Sequence, residues 1–94
     1  MTKINQEDDG KKGCFLIYEE NELVGEMTYT WVGDSKFIID HTEVKDTFGG
    51  KGIAKQLVLV GIAFARDKNL KIIPLCPYAK KVFDSNEELN DVRF

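Results

Sequence analysis

Hydrophobic and polar positions along the chain change period several times, and each change marks an element. CFLIY (residues 14–18) is a short run of β-formers, closed by the turn-like ENE (20–22). LVGEMTYTWV (23–32) follows with alternating character, so these two runs predict a hairpin. GDS (33–35) reads as the next turn and KFIIDHTEV (36–44) as a third strand. Beyond the loop KDTFGGKG the period becomes helical: Ile53, Leu57, Val60 and Phe64 fall on one stripe, widened by Val58, Ile62 and Ala65. A helix over 53–69 is expected, with Asn69 as its C-cap. LKIIPLC (70–76) predicts a short buried strand, and Pro74 inside it requires an edge position or a bulge. After Pro77, YAKKVFD (78–84) reads as a short helix. Ser85 and Glu88 have the spacing of a capping box for a final short helix, with Leu89, Val92 and Phe94 docking the tail on the body.

The order β-β-β-α-β-α predicts a mixed sheet. An antiparallel three-strand meander comes first, and the third strand, long helix and fourth strand then form a right-handed parallel crossover. The fold class is α/β of the α+β type, as one domain over residues 13–94. The first twelve residues carry mixed charge and few apolar groups, and a disordered tail is expected there.

Composition narrows the function. With 94 residues there is room for one modest core. A net charge of −3 argues against general nucleic-acid binding, which needs a basic face. No apolar run is long enough for a membrane helix, and MTKINQEDDGKKG lacks a signal-peptide core, so a cytoplasmic location is the default expectation. Cys14 and Cys76 read as free thiols rather than a disulfide framework, and no His/Cys/Asp cluster has metal-ligand spacing.

FGGKGIAKQLV (48–58) is the most informative stretch. Three glycines lead into the long helix, where bare backbone, unpaired amides and the helix dipole together favour an anion. A glycine turn with no ligand is the other reading. A Walker A loop needs Ser or Thr after its lysine, but Gly52 follows Lys51. A dinucleotide fingerprint needs a third small residue where Lys55 stands, and a further βαβ unit that the chain does not supply.

GGKGIA (49–54) resembles the pyrophosphate loop of the GNAT superfamily of acetyltransferases, R/Q-x-x-G-x-G/A. Gly52 and Ala54 fall on its last two fixed positions, while Gly49 stands where the family has Arg or Gln and offers backbone only. With DHTEV (40–44) upstream and LCPYAKKVF (75–83) downstream, the chain from about Cys14 onward is similar to a very small GNAT-like family, a minimal form of that fold. The resemblance implies acetyl-CoA as ligand. Backbone groups of Thr42, Glu43, Val44 and Lys45 would take the pantetheine arm, and Gly49, Gly50, Lys51, Gly52, Ile53, Ala54 and Lys55 the pyrophosphate. The extra N-terminal helices that shape the acceptor site in the larger family have no counterpart in this sequence. An amine or protein acceptor is implied but not identified.

Two residues carry candidate chemistry. Cys76 precedes Pro77 and a helix start, a setting that favours thiolate, and a thiolate can accept an acyl group from a thioester; the plainer reading is a structural cysteine. His41 is the only histidine. If the parallel strands start together at Phe37 and Lys71, His41 lies level with Leu75, next to Cys76, which would allow a Cys–His approach. An imidazole there could take the thiol proton or act as base toward an amine, or could simply be a half-buried strand histidine. The small GNAT-like family is similar in carrying this His and this Cys as its candidate reactive pair. Tyr78 is a rival acid for the departing CoA thiolate. Cys14 is expected in the core, and Tyr29, Trp31 and Phe37 as sheet-packing aromatics. The resemblance implies an acetyl-CoA-dependent N-acetyltransferase; a non-catalytic CoA-binding module and a small interaction protein are the other classes.

Overall fold

The structure is a computed structural model that describes residues 2–45, 47 and 52–94. Its elements in chain order are β1 (Thr2–Asp8), β2 (Lys12–Glu19), β3 (Glu22–Val32), β4 (Lys36–Val44), α1 (Ile53–Lys68), β5 (Lys71–Pro74) and α2 (Pro77–Asp84), then a 3-10 turn at Glu87–Leu89. They form one mixed sheet in the order β1-β2-β3-β4-β5. β1 to β4 are antiparallel, and β5 runs parallel to β4 through the α1 crossover. The expected meander, crossover and edge position of Pro74 are all present.

The helix-facing side of the sheet buries Phe15, Ile17, Met27, Tyr29, Phe37 and Ile39 against Leu57, Val58, Ile62 and Ala65 of α1. Val60 and Phe64, expected on the same stripe, are only partly buried at its margin. α1 ends where expected: Asn69 adopts the left-handed conformation, and its amide is donated to the carbonyls of Ala65 and Arg66.

Three expectations are corrected. The N-terminal residues are not a free tail, because Thr2–Asp8 pairs with β2 along its length, from Thr2↔Glu19 to Asp8↔Gly13. The strand is polar, so its stability comes from hydrogen bonds to the aromatic rim rather than from its own burial. Asp8 Oδ2 accepts from Tyr29 Oη (2.6 Å) and Trp31 Nε1 (2.8 Å), and Gln6 Nε2 donates to Tyr29 Oη (2.8 Å). Cys14 is on the sheet face away from α1 rather than in the core, since its neighbours Gly13 and Phe15 face the helix. The capping box at Ser85 is absent: Ser85 closes α2, the 3-10 turn has Asn86 as its unassisted N-cap, and Asn86 Nδ2 instead donates to Val82 O. The tail docks through Leu89 and Val92, while Phe94 stays exposed beneath the Lys36 ammonium.

Gly13 makes room for this anchor. A Cβ there would lie 2.4 Å from the Tyr29 ring and 2.7 Å from Glu7 O. Partial burial pushes the Asp8 carboxyl up, but hydrogen bonds from Tyr29, the Gly10 amide and Trp31 bring it below the usual carboxylate value. A carboxyl depressed in the folded state stabilises the fold above its unfolded pKa, and that contribution is lost as pH falls through the folded value. Asp8→Ala should therefore cost about 1–2 kcal/mol at neutral pH and flatten the acid limb of the stability profile. Hydrogen exchange will also reveal faster β1 amides in the variant. Parent-like protection of residues 2–8 would show that the carboxylate does not hold the strand.

Candidate functional site

β4 is the element on which the site is built. Its pairing with β3 runs in register from Lys36 to Ile39, then shifts: Tyr29 faces Ile39 and Thr28 faces His41, so Asp40 is an inserted residue. Such a bulge turns two successive side chains to the same side and bends the strand. Asp40 and His41 consequently both lie on the sheet face away from α1. Asp40 accepts from Thr30 Oγ1 at 2.5 Å, and the His41 side chain is 65% exposed, with Nε2 3.7 Å from Glu43 Oε2. Thr42, opposite the buried Met27, returns to the helix-facing side.

On its other edge β4 pairs with β5 only from Lys36↔Lys71 to Ile39↔Pro74, one residue out of step with the alignment expected. Pro74 has no N–H to extend the ladder. Leu75 turns back, donating its amide to Ile73 O, and Cys76 N–H makes the last link, to Ile39 O at 3.0 Å. Residues 40–44 run on without a β5 partner. The result is a fork with an unpaired β4 edge on one arm and the start of α2 on the other, and Cys76 at its base.

The register alone would put His41 level with Cys76, yet the bulge keeps the two side chains on different faces. The thiol's polar partner is Thr42, with Sγ 3.5 Å from Oγ1. Cys76 is the N-cap residue of α2, with Pro77 at the first helical position. The residue is buried, with 4% of its surface exposed. Burial pushes the thiol pKa up; hydrogen bonding to Thr42 and the nearby amides of Ala79, Tyr78 and Thr42 outweighs this and leaves it below the ordinary thiol value. The sulfur makes no full capping hydrogen bond, so the amides act at longer range, as dipoles aimed at the sulfur. Cys14 shows the opposite balance, pushed up by burial and by the Glu26 and Glu7 carboxylates. Tyr78 is half-exposed beside the fork, and Leu75 is exposed on its rim.

The remaining expected residues divide. Val44 packs partly against the core, and Glu43 is exposed. Lys45 cannot offer its amide to a ligand, because that N–H is donated to Val24 O at 2.9 Å, and its ammonium pairs with Glu22 at 2.7 Å. Gly52 is the N-cap of α1 with φ +75, a conformation that suits glycine, and its carbonyl accepts from Gln56 N. Among the described residues no side chain caps this helix, and its first turn holds no acid, so the leading amides of Ile53, Ala54 and Lys55 are placed for an anion. Ile53 itself is buried, and Lys55 is exposed. Gly49, Gly50 and Lys51 lie outside the described residues.

A cleft of about 690 Å³ crosses the other face over Glu7, Cys14, Glu26, Thr28 and Asp40, among others. Only its Asp40 end adjoins the fork, so the cleft does not mark the reactive centre. Among the described residues no group of three or more His, Cys, Asp or Glu could hold a metal ion, and no helix is long and apolar enough to cross a membrane. The thiol's pairing with Thr42 was missed in the sequence. Its signal was the adjacent polar pair Asp40–His41, which breaks the alternation of KFIIDHTEV and marks the bulge.

Comparison with known proteins agrees with this architecture. The model of a family described as GCN5-related N-acetyl-transferase matches residues 14–92. Protein NATD1 of Xenopus tropicalis is 37% identical over 60 residues, 64% of this chain and 55% of that protein. The match thus spans about half the length of this curated relative. The solution structure of a GCN5-like protein from Staphylococcus aureus is 35% identical with a TM-score of 0.71, covering 96% of this chain and 87% of that one. A GNAT family acetyltransferase from Elizabethkingia anophelis, solved with acetyl-CoA bound, shares the fold at 18% identity and a TM-score of 0.68, over 78% of this chain and 63% of that one.

The two thiols should separate in a pH-resolved alkylation experiment followed by mass spectrometry. The iodoacetamide profile of Cys76 should have its midpoint below that of Cys14. The reverse order would contradict the electrostatics of the fork.

Proposed function

The chain belongs to the GCN5-related N-acetyltransferase family, and on that premise we propose that it binds acetyl-CoA along the fork and transfers the acetyl group to an amine. The observation that carries this reading is the fork itself, an open strand edge ending at a buried thiol held by a hydroxyl and helix amides. The pyrophosphate fits the uncapped start of α1 at Ile53, Ala54 and Lys55; Gly49, Gly50 and Lys51, which the resemblance adds to this set, lie outside the described residues. The pantetheine amides fit the free edge of Thr42, Glu43 and Val44. Lys45 takes no part through its amide.

The bound cofactor supplies an activated thioester; this chain supplies the rest. Cys76 Sγ, as thiolate, forms a bond to the acetyl carbon while the bond from that carbon to the CoA sulfur breaks. CoA leaves as a thiolate and is protonated from solvent or by Tyr78. The amine then attacks the acetyl-cysteine, an amide forms, and the Cys76 thiolate is restored. The proton lost by the amine passes to solvent, directly or through His41, which is exposed on the far face and not beside the sulfur. A free thiol working in this way needs a reducing compartment, which is consistent with the cytoplasm.

A second reading is a module that binds acetyl-CoA without turnover. It is favoured by the far face of the sheet, whose side chains, Leu16 excepted, stay exposed or half-buried and form no acceptor wall.

Two measurements decide between these readings. Titration with acetyl-CoA, with ATP and NAD as controls, should shift the amide resonances at the start of α1. Incubation of the protein with acetyl-CoA should leave one acetyl group on Cys76, detected by mass, and amines should discharge it. Cys76→Ala should keep binding and lose transfer by at least about a hundredfold. Parent-rate transfer by that variant would end the thiol route, and binding with no release of CoA to any amine would leave the module.

A further inference from the structure

We propose that the Thr42 hydroxyl is the positioning group of the Cys76 nucleophile: it takes the place of a histidine in holding the sulfur at the base of the fork and favouring its ionised form. The inference rests on the thiol route described above and identifies the residue that makes this thiol reactive.

Three observations converge on Thr42. The bulge at Asp40 makes Thr42 the first β4 side chain beyond the fork to return to the helix-facing side, where Cys76 lies. Its Oγ1 is 3.5 Å from Sγ, within hydrogen-bonding range for sulfur. Among the described residues, the charged neighbours on β4 and α2 are engaged elsewhere. On β4, His41 and Glu43 lie on the other face and associate with each other, and on α2, Lys80 is paired with Asp84 at 3.0 Å. The sulfur is left with a hydroxyl from one side and the amides of Tyr78 and Ala79 from the other.

The hydroxyl suits both protonation states. The neutral thiol donates to Oγ1; once the proton has left for solvent, the hydroxyl rotates and donates to the thiolate. No base is required to stay in contact with the sulfur, so the imidazole is free to serve the acceptor. A hydroxyl also holds the sulfur without adding charge to a buried site, where an unpaired charge is costly.

The test measures the thiol directly, with iodoacetamide as probe across pH and mass spectrometry to identify Cys76. Thr42→Val keeps the shape and the β-branch while removing the hydroxyl. It should raise the Cys76 midpoint by about one pH unit, slowing alkylation near neutrality about tenfold. Thr42→Ser should restore the parent profile, which a purely steric role would not. His41→Ala should leave the profile in place. A Thr42→Val profile that overlays the parent, or a shift produced by His41→Ala instead, overturns the proposal. Failure of the thiol route reads differently: Cys76→Ala would transfer acetyl normally while Thr42→Val still shifted the thiol profile.

Discussion

β4 slips register against β3 and parts from β5 at the same level, and the rest of the site depends on that coincidence. On the β3 side the ladder skips at Asp40, and on the β5 side it stops at Ile39↔Pro74. A bulge bends its strand and increases the local twist, whereas a proline withdraws a donor from the ladder. Together they separate β4 from β5 while β4 stays in the sheet. The fork is thus set by two local backbone events.

The same coincidence distributes the chemistry. Without the inserted residue, the alternation of β4 would place His41 and not Thr42 on the helix-facing side, beside the sulfur. With it, the thiol receives a neutral hydroxyl and the imidazole is turned to the exposed face. A buried thiol paired with an imidazole would tend toward an ion pair, whose formation must offset the cost of taking two charges out of water. A thiol placed between a hydroxyl and helix amides is eased toward ionisation by dipoles that are already in place.

The sequence made the core of this fold readable because apolar periodicity reports burial. Ile53, Leu57 and Ala65 on α1 were evident from helical spacing, and Phe37 on β4 from its aromatic character within a strand. β1 was not, because only Ile4 among its residues packs on the core. Its position is fixed by Asp8, whose partners Tyr29 and Trp31 are 21 and 23 residues away. A polar strand held by long-range hydrogen bonds leaves no periodic trace. The site was legible in outline, since Cys76 before Pro77 and the glycine stretch before α1 are local signals. The Cys76–His41 approach was read from the parallel register alone, and the face a side chain takes along β4 changes at the inserted Asp40.

Burial of Cys76 and its proposed reactivity pull in opposite directions, and the fork reconciles them. A cysteine buried in the folded chain is poorly placed to meet a bulky substrate from open solvent. An acyl-pantetheine, however, is a thin chain that can lie along an unpaired strand edge as a strand would, with its amides taking backbone hydrogen bonds. The edge of residues 40–44 leads toward Cys76, and the thiol is reached along β4 rather than from above the sheet. Shielding the sulfur from bulk water then works for the chemistry. On the proposed route it would strengthen the hydroxyl and amide dipoles acting on the thiolate and protect an acetyl-cysteine from hydrolysis.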